Sequence, residues 1–118
     1  MKDINMKVYR GERTRGGTVV TVDGQLLDLR LDLVNHSPTG FEWGYGGSGP
    51  SQLALAILAD YLQDDSLAMH LYQEFKWKVV SGITSKKWEL KESDVQVVVD
   101  KIQTGLEKGN EESSQESA

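Results

Sequence analysis

The sequence predicts an α+β domain: an N-terminal antiparallel β-meander of about three strands packed on about three helices, followed by a disordered acidic C-terminal tail. Three observations predict it. Residues before position 34 are rich in β-branched and alternating side chains. Residues after position 50 carry apolar side chains at helical spacing. Strands that precede helices in this way belong to α+β architectures rather than to alternating α/β ones.

The elements follow in order. Lys7-Val8-Tyr9-Arg10-Gly11 reads as a short first strand and Arg13-Thr14-Arg15-Gly16-Gly17 as a turn. Thr18-Val19-Val20-Thr21-Val22 reads as a second strand, and Asp23-Gly24 as a two-residue hairpin, since both residues tolerate positive φ. Residues 27–33 alternate leucine with Asp28, Arg30 and Asp32, which predicts a third strand with one buried face. On that reading Leu31→Asp buries an unpaired charge and unfolds the sheet. A first helix runs from about Pro50 to Gln63, with Ser48 or Gly49 as its N-cap and proline in its first turn. Being apolar nearly all round, it is expected at the centre of the domain. A second helix runs from Asp65 or Ser66 to about Val80, with Gly82 near its end. Trp88-Glu89-Leu90 is a short strand or an extended link. Ser93 caps a third helix carrying Val95, Val98, Val99, Ile102 and Leu106, with a strand over 95–99 as the alternative.

At 118 residues the chain is long enough for one modest core, expected over 1–108, with the polar segment 109–118 as the tail. Cysteine is absent, so disulfides and thiolate metal sites are excluded and a cytoplasmic location is favoured. No membrane span and no signal peptide are expected. The net charge of −5 comes partly from the tail. The near-neutral remainder argues against duplex nucleic acid as a direct ligand.

Five of the twelve glycines, Gly40, Gly44, Gly46, Gly47 and Gly49, fall within ten residues beside Phe41, Trp43 and Tyr45, and the run opens into the first helix. The first amides of a helix lack partners inside it and carry partial positive charge, and glycine lets a ligand approach them. Arg10, His36, Trp43, Tyr45, Gly46, Gly47, Ser48 and Ser51 are therefore the candidate ligand-binding residues. Arg10, Arg13 and Arg15 suit phosphates, and Trp43 and Tyr45 suit a stacked ring. In the opposing reading the glycines serve tight packing, and Phe41 and Trp43 plug the space between sheet and helix. The run matches neither a phosphate-binding Walker loop nor the dinucleotide fingerprint nor a nucleophile elbow. His36 beside Ser48 or Glu42 is the one arrangement that suits a small hydrolase. His36, Glu42 and Asp32 are too thin a set for a metal, and no metal or cofactor is expected. Lys76, Lys78, Lys86 and Lys87 with Trp77 and Trp88 form a mild basic–aromatic cluster, read as a solvated face or as a surface for an acidic partner.

Tyr9-Arg10-Gly11, Leu31-Asp32-Leu33, the whole run Asn35 to Pro50, Gln52-Leu53-Ala54-Leu55-Ala56, Leu71-Tyr72-Gln73 and Phe75-Lys76 together resemble a family of small proteins of unknown function from bacteria, archaea and their phages. The resemblance implies no activity. It implies a mobile-element setting, in which small proteins often antagonise host defence, anti-CRISPR proteins among them. The expected function is a non-enzymatic binding module acting on a host protein or a nucleotide-like ligand at the glycine-rich loop, with self-association possible. The alternatives are the small hydrolase and a purely structural accessory protein.

Overall fold

A computed structural model describes residues 6–117, and the side chains of residues 6–105. The expected tail at 109–118 lies outside the described side chains. The elements are β1 (Val8–Thr14), β2 (Gly17–Val22), β3 (Gln25–Leu26), α1 (Ser48–Leu62), α2 (Asp65–Lys78), a single 3-10 turn (Val80–Gly82), β4 (Lys87–Lys91) and α3 (Glu92–Ser117). The fold is α+β, as the order of patterns predicts. The four strands form one antiparallel sheet in the order β3-β2-β1-β4. The stretch around Trp88 is thus a full strand, paired to β1 with Tyr9 opposite Leu90 and Gly11 opposite Trp88.

Period-two alternation sorts the sheet into two faces. Tyr9 and Val20 point into the core, with Val22, Trp88 and Leu90 partly buried against it. Arg10, Glu12, Thr21, Lys87 and Glu89 point the other way. Asp23 and Gly24 both take positive φ, 51° and 83°, which makes the tight hairpin between β2 and β3.

The third strand is a correction. Only Gln25–Leu26 forms a strand; the Leu27 amide makes one last bond to the Val20 carbonyl at 3.0 Å, and residues 28–33 leave the sheet. The charges that suggested a wet strand face are instead consumed locally. Asp28 Oδ1 accepts from the Arg30 amide at 2.7 Å, and Arg30 sits at φ 56°. The Leu33 amide then donates to the Arg30 carbonyl at 3.0 Å. The Arg30 guanidinium bridges Asp32 at 3.0 Å and Asp65 at 2.9 Å, holding the Asp32 carboxyl below its usual range. Leu27 is buried, but Leu31 is 37% exposed. Leu31→Asp therefore buries no charge, and its expected cost falls to about 0.5 kcal/mol or less in thermal unfolding.

α1 is the central element. Leu53 to Leu58 are all fully buried, because the helix has α2 along one side and the rest of the core around it. It ends at Gln63 in the left-handed region, and Asp64 caps α2 by accepting from the Leu67 amide. At the far end of α1, Asp60 receives the Tyr9 hydroxyl at 2.7 Å and Lys7 Nζ at 3.1 Å. Burial first, and then the hydrogen bond to Asp60, push the Tyr9 phenol well above its ordinary value. A folded pKa above the unfolded value of about 10 contributes stability at neutral pH that is lost as pH rises past that value. Spectrophotometric titration should show one tyrosine that ionises only with unfolding. Tyr9→Phe should abolish that phase, and its persistence would contradict the assignment.

Candidate functional site

The glycine-rich loop is anchored before it is exposed. Gln52, in the first turns of α1, has no solvent exposure, and its amide is shared among four backbone groups. Its Oε1 accepts from the amides of His36 and Ser37 at 2.7 and 2.9 Å. Its Nε2 donates to the carbonyls of Leu29 and Val34 at 2.7 and 3.0 Å. Ser37 Oγ donates to the Gly40 carbonyl, Thr18 Oγ1 to the Phe41 carbonyl and Trp43 Nε1 to the Ser85 carbonyl. The Gly44 amide donates to the Val80 carbonyl at 3.0 Å. Phe41 and Trp43 are buried, and Trp43 meets Trp88 edge-on with ring centres 5.6 Å apart. This half of the run packs as a plug between sheet and helices.

The start of α1 lies two residues earlier than glycine and proline placement suggests. Gly47 is the N-cap, in extended conformation and without a side-chain cap, and its carbonyl takes the Ser51 amide at 3.0 Å. Gly49 is buried against Glu42, where a Cβ would stand 2.6 Å from the Glu42 Cβ. The Glu42 carboxylate is held by Arg13 Nη1 at 2.7 Å, and Arg13 also lies 4.6 Å from the centre of the Trp43 ring. An anion brought to these amides would therefore meet a carboxylate next to Gly49.

The exposed half of the run is different in kind. Tyr45 is 52% and Trp77 is 59% exposed, large rings that the core does not use. The Trp77 ring lies against Gly46, where a Cβ would stand 2.2 Å from it. The Tyr45 ring lies against Gly47 at 2.5 Å by the same measure. Two successive glycines thus let two rings close onto one narrow piece of backbone. Lys76 Nζ lies over the Trp77 ring, 4.4 Å from its centre. Beside Tyr45 lies a depression of about 420 Å3, lined by Arg13, Tyr45, Thr84, Ser85 and Lys86 together with Trp43, Gly44 and Ile83. Its residues include two cations, of which Arg13 is paired with Glu42, two hydroxyl side chains and two aromatics.

The candidate residues therefore divide. Tyr45, Gly46, Gly47 and Ser48 lie together at the loop surface. Trp43 and Ser51 are buried. Arg10 lies on the outer face of the sheet, 3.3 Å from Glu89, in a separate depression of about 540 Å3. His36 Nε2 pairs with the Tyr72 hydroxyl at 2.8 Å, and Glu42 with Arg13. Among the described residues, no three of His, Asp and Glu converge as a metal site. Sequence reasoning missed Gln52, grouped Arg13 with Arg10 and Arg15 as a phosphate partner, and left Trp77 in a surface cluster. For Gln52 the signal was one amide side chain at the head of an apolar helix. For Trp77 it was the largest apolar side chain between two lysines on a helix.

Among the described residues no helix is long and apolar enough to cross a membrane. Comparison with curated proteins and with solved structures finds no match. A family model matches residues 9–101, about four-fifths of the sequence, and takes in all of the sheet but Val8, the glycine-rich loop, α1 and α2. The chain belongs to this family of unknown function, DUF6166.

Proposed function

We propose that the protein is a non-enzymatic binding module whose recognition surface is the rim of Tyr45, Trp77, Arg13 and Lys86 around Gly44–Gly47. Its ligand combines a planar ring with negative charge, as a nucleotide does. The observation that carries this reading is the pair of exposed rings on successive glycines, since paired exposed aromatics beside cations are what a stacking, anion-tolerant partner needs. The pairing of His36 with Tyr72 and of Glu42 with Arg13 supports binding over the hydrolase reading, because each group is engaged elsewhere than with Ser48. The same rim, with aromatic rings and a guanidinium, also suits an acidic patch on a host protein. A mobile-element setting would make that protein part of host defence, and a pull-down from host lysate is its test.

Trp77 supplies the reporter, because Trp43 is buried and Trp88 half-buried. A panel of nucleotides and cyclic nucleotides should quench the Trp77 emission, and one present at a hundred times its Kd should stabilise the fold by about 2.7 kcal/mol. Gly46→Ala should abolish both effects while changing stability by under about 1 kcal/mol, because its Cβ displaces an exposed ring rather than core. Neither quenching nor a melting shift with any member of the panel would remove the nucleotide-like ligand.

A further inference from the structure

We propose that this face binds a single strand of nucleic acid, with its bases stacked on Tyr45 and Trp77, rather than a free mononucleotide; the inference rests on the reading of the rim given above. A mononucleotide has one ring. The rim offers two, against adjacent residues of the bend that leads into α1, Trp77 over Gly46 and Tyr45 over Gly47. Two neighbouring platforms match two neighbouring bases, and stacking of this kind tolerates any base because every base has a π-face.

The charge around the rings is arranged for a backbone. The protein carries −5 overall, yet of the lysines at 76, 78, 86 and 87 only Lys87 points away, to the outer face of the sheet; Lys76 is buried against the Trp77 ring, which leaves Lys78 and Lys86 for the ligand. Lys78 follows Trp77 directly, and Lys86 lines the depression next to Tyr45. Of the nearest carboxylates, one is paired and the other stands one helical turn from a lysine. Glu42 is bound by Arg13 at 2.7 Å, and Glu74 stands four residues before Lys78 on the same helix face. Thr84 and Ser85 add hydroxyls to the depression, in reach of phosphate or sugar oxygens. A duplex keeps its bases stacked inside and presents twice the phosphate density to an acidic protein, so a single strand is the form that can use both rings.

The test uses the full chain and a fluorescent 12-nucleotide oligothymidylate, followed by anisotropy at low and moderate salt. Thymidine monophosphate, a 12-base-pair duplex and polyglutamate serve as competitors. The strand should bind at least about 10-fold more tightly than the mononucleotide, as a second stacked base implies. Its affinity should fall with salt at a log–log slope of roughly −1.5, as two neutralised phosphates predict. Trp77→Ala and Tyr45→Ala should each weaken it about 5-fold or more, with melting temperature unchanged, and Trp77→Phe should restore most of the loss. If the mononucleotide binds as tightly as the strand, the strand inference fails and the nucleotide reading stands. If polyglutamate competes as well as the strand, the face reads charge alone and fits an acidic protein partner instead. If the strand binds but Trp77→Ala and Tyr45→Ala leave it unchanged, the site is misplaced. If neither strand nor nucleotide binds, both readings fall.

Discussion

Gln52→Leu is expected to destabilise the protein by about 3–5 kcal/mol, a large share of the 5–15 kcal/mol typical of a domain this size. Leucine roughly fills the volume but offers no polar atom. Four backbone groups, the amides of His36 and Ser37 and the carbonyls of Leu29 and Val34, then lose their partner together. Each buried group left unpaired costs on the order of 1–3 kcal/mol, and the segment is half-exposed enough for water to recover part of the total. In thermal unfolding the loss should read as a drop of roughly 15–30 °C. A drop under about 3 °C would mean that the loop holds itself without the clip.

The charged isostere separates geometry from hydrogen bonding. Gln52→Glu keeps both acceptor contacts but turns the two donors toward Leu29 and Val34 into an oxygen facing two carbonyls. Only the protonated acid can donate there, so burial and these carbonyls raise the folded pKa above the unfolded value of about 4.3. The sign follows directly. The variant is at its most stable below that pH and loses stability as pH rises through the raised folded value. A variant that instead gains stability between pH 4 and pH 7, relative to the parent, would contradict the proposed direction of the amide.

Much of this architecture is visible in residue pattern, and the failures have physical causes. β2, the Asp23-Gly24 hairpin, α1 and α2 are legible because local propensity, periodicity and tertiary burial agree there. Residues 27–33 deceived because leucine–charge alternation fits a strand, while the Asp28, Asp32 and Asp65 carboxylates that close Arg30 into a turn include one 35 residues away. β4 was half legible: its partner β1 lies some eighty residues back, and pairing at that separation leaves no local trace. In the glycine run the aromatics looked alike, yet Trp43 faces the core and Tyr45 faces solvent. Period two along 43–45 would have put them on one face; Gly44 at φ 92° breaks that rule and turns the chain between them.

Gly11→Val should have the second large effect, and its sign is opposite to what strand propensity suggests. Valine is a better strand residue than glycine, so an unobstructed Gly→Val in the middle of β1 would stabilise the sheet. Here the inner face of Gly11 is occupied by the Trp88 ring from the neighbouring strand. A Cβ would stand 2.3 Å from the ring's Cε2 and Nε1. Trp88 cannot retreat inward, because Trp43 is packed edge-on behind it and is itself tied to the Ser85 carbonyl. Its indole N–H, buried and without a partner among the described residues, shows how closely the ring is covered. The ring must swing out, and overpacking plus lost ring burial should cost about 3 kcal/mol. Gly11→Ala, with one methyl, should cost about 2 kcal/mol. The clash makes a further demand that simple loss of glycine flexibility would not. Trp88→Ala should cost stability alone, but adding Gly11→Val to it should cost little or help, giving a coupling of at least about 1 kcal/mol in urea unfolding. Additive costs would show that Gly11 is needed for its backbone and that the ring above it is incidental.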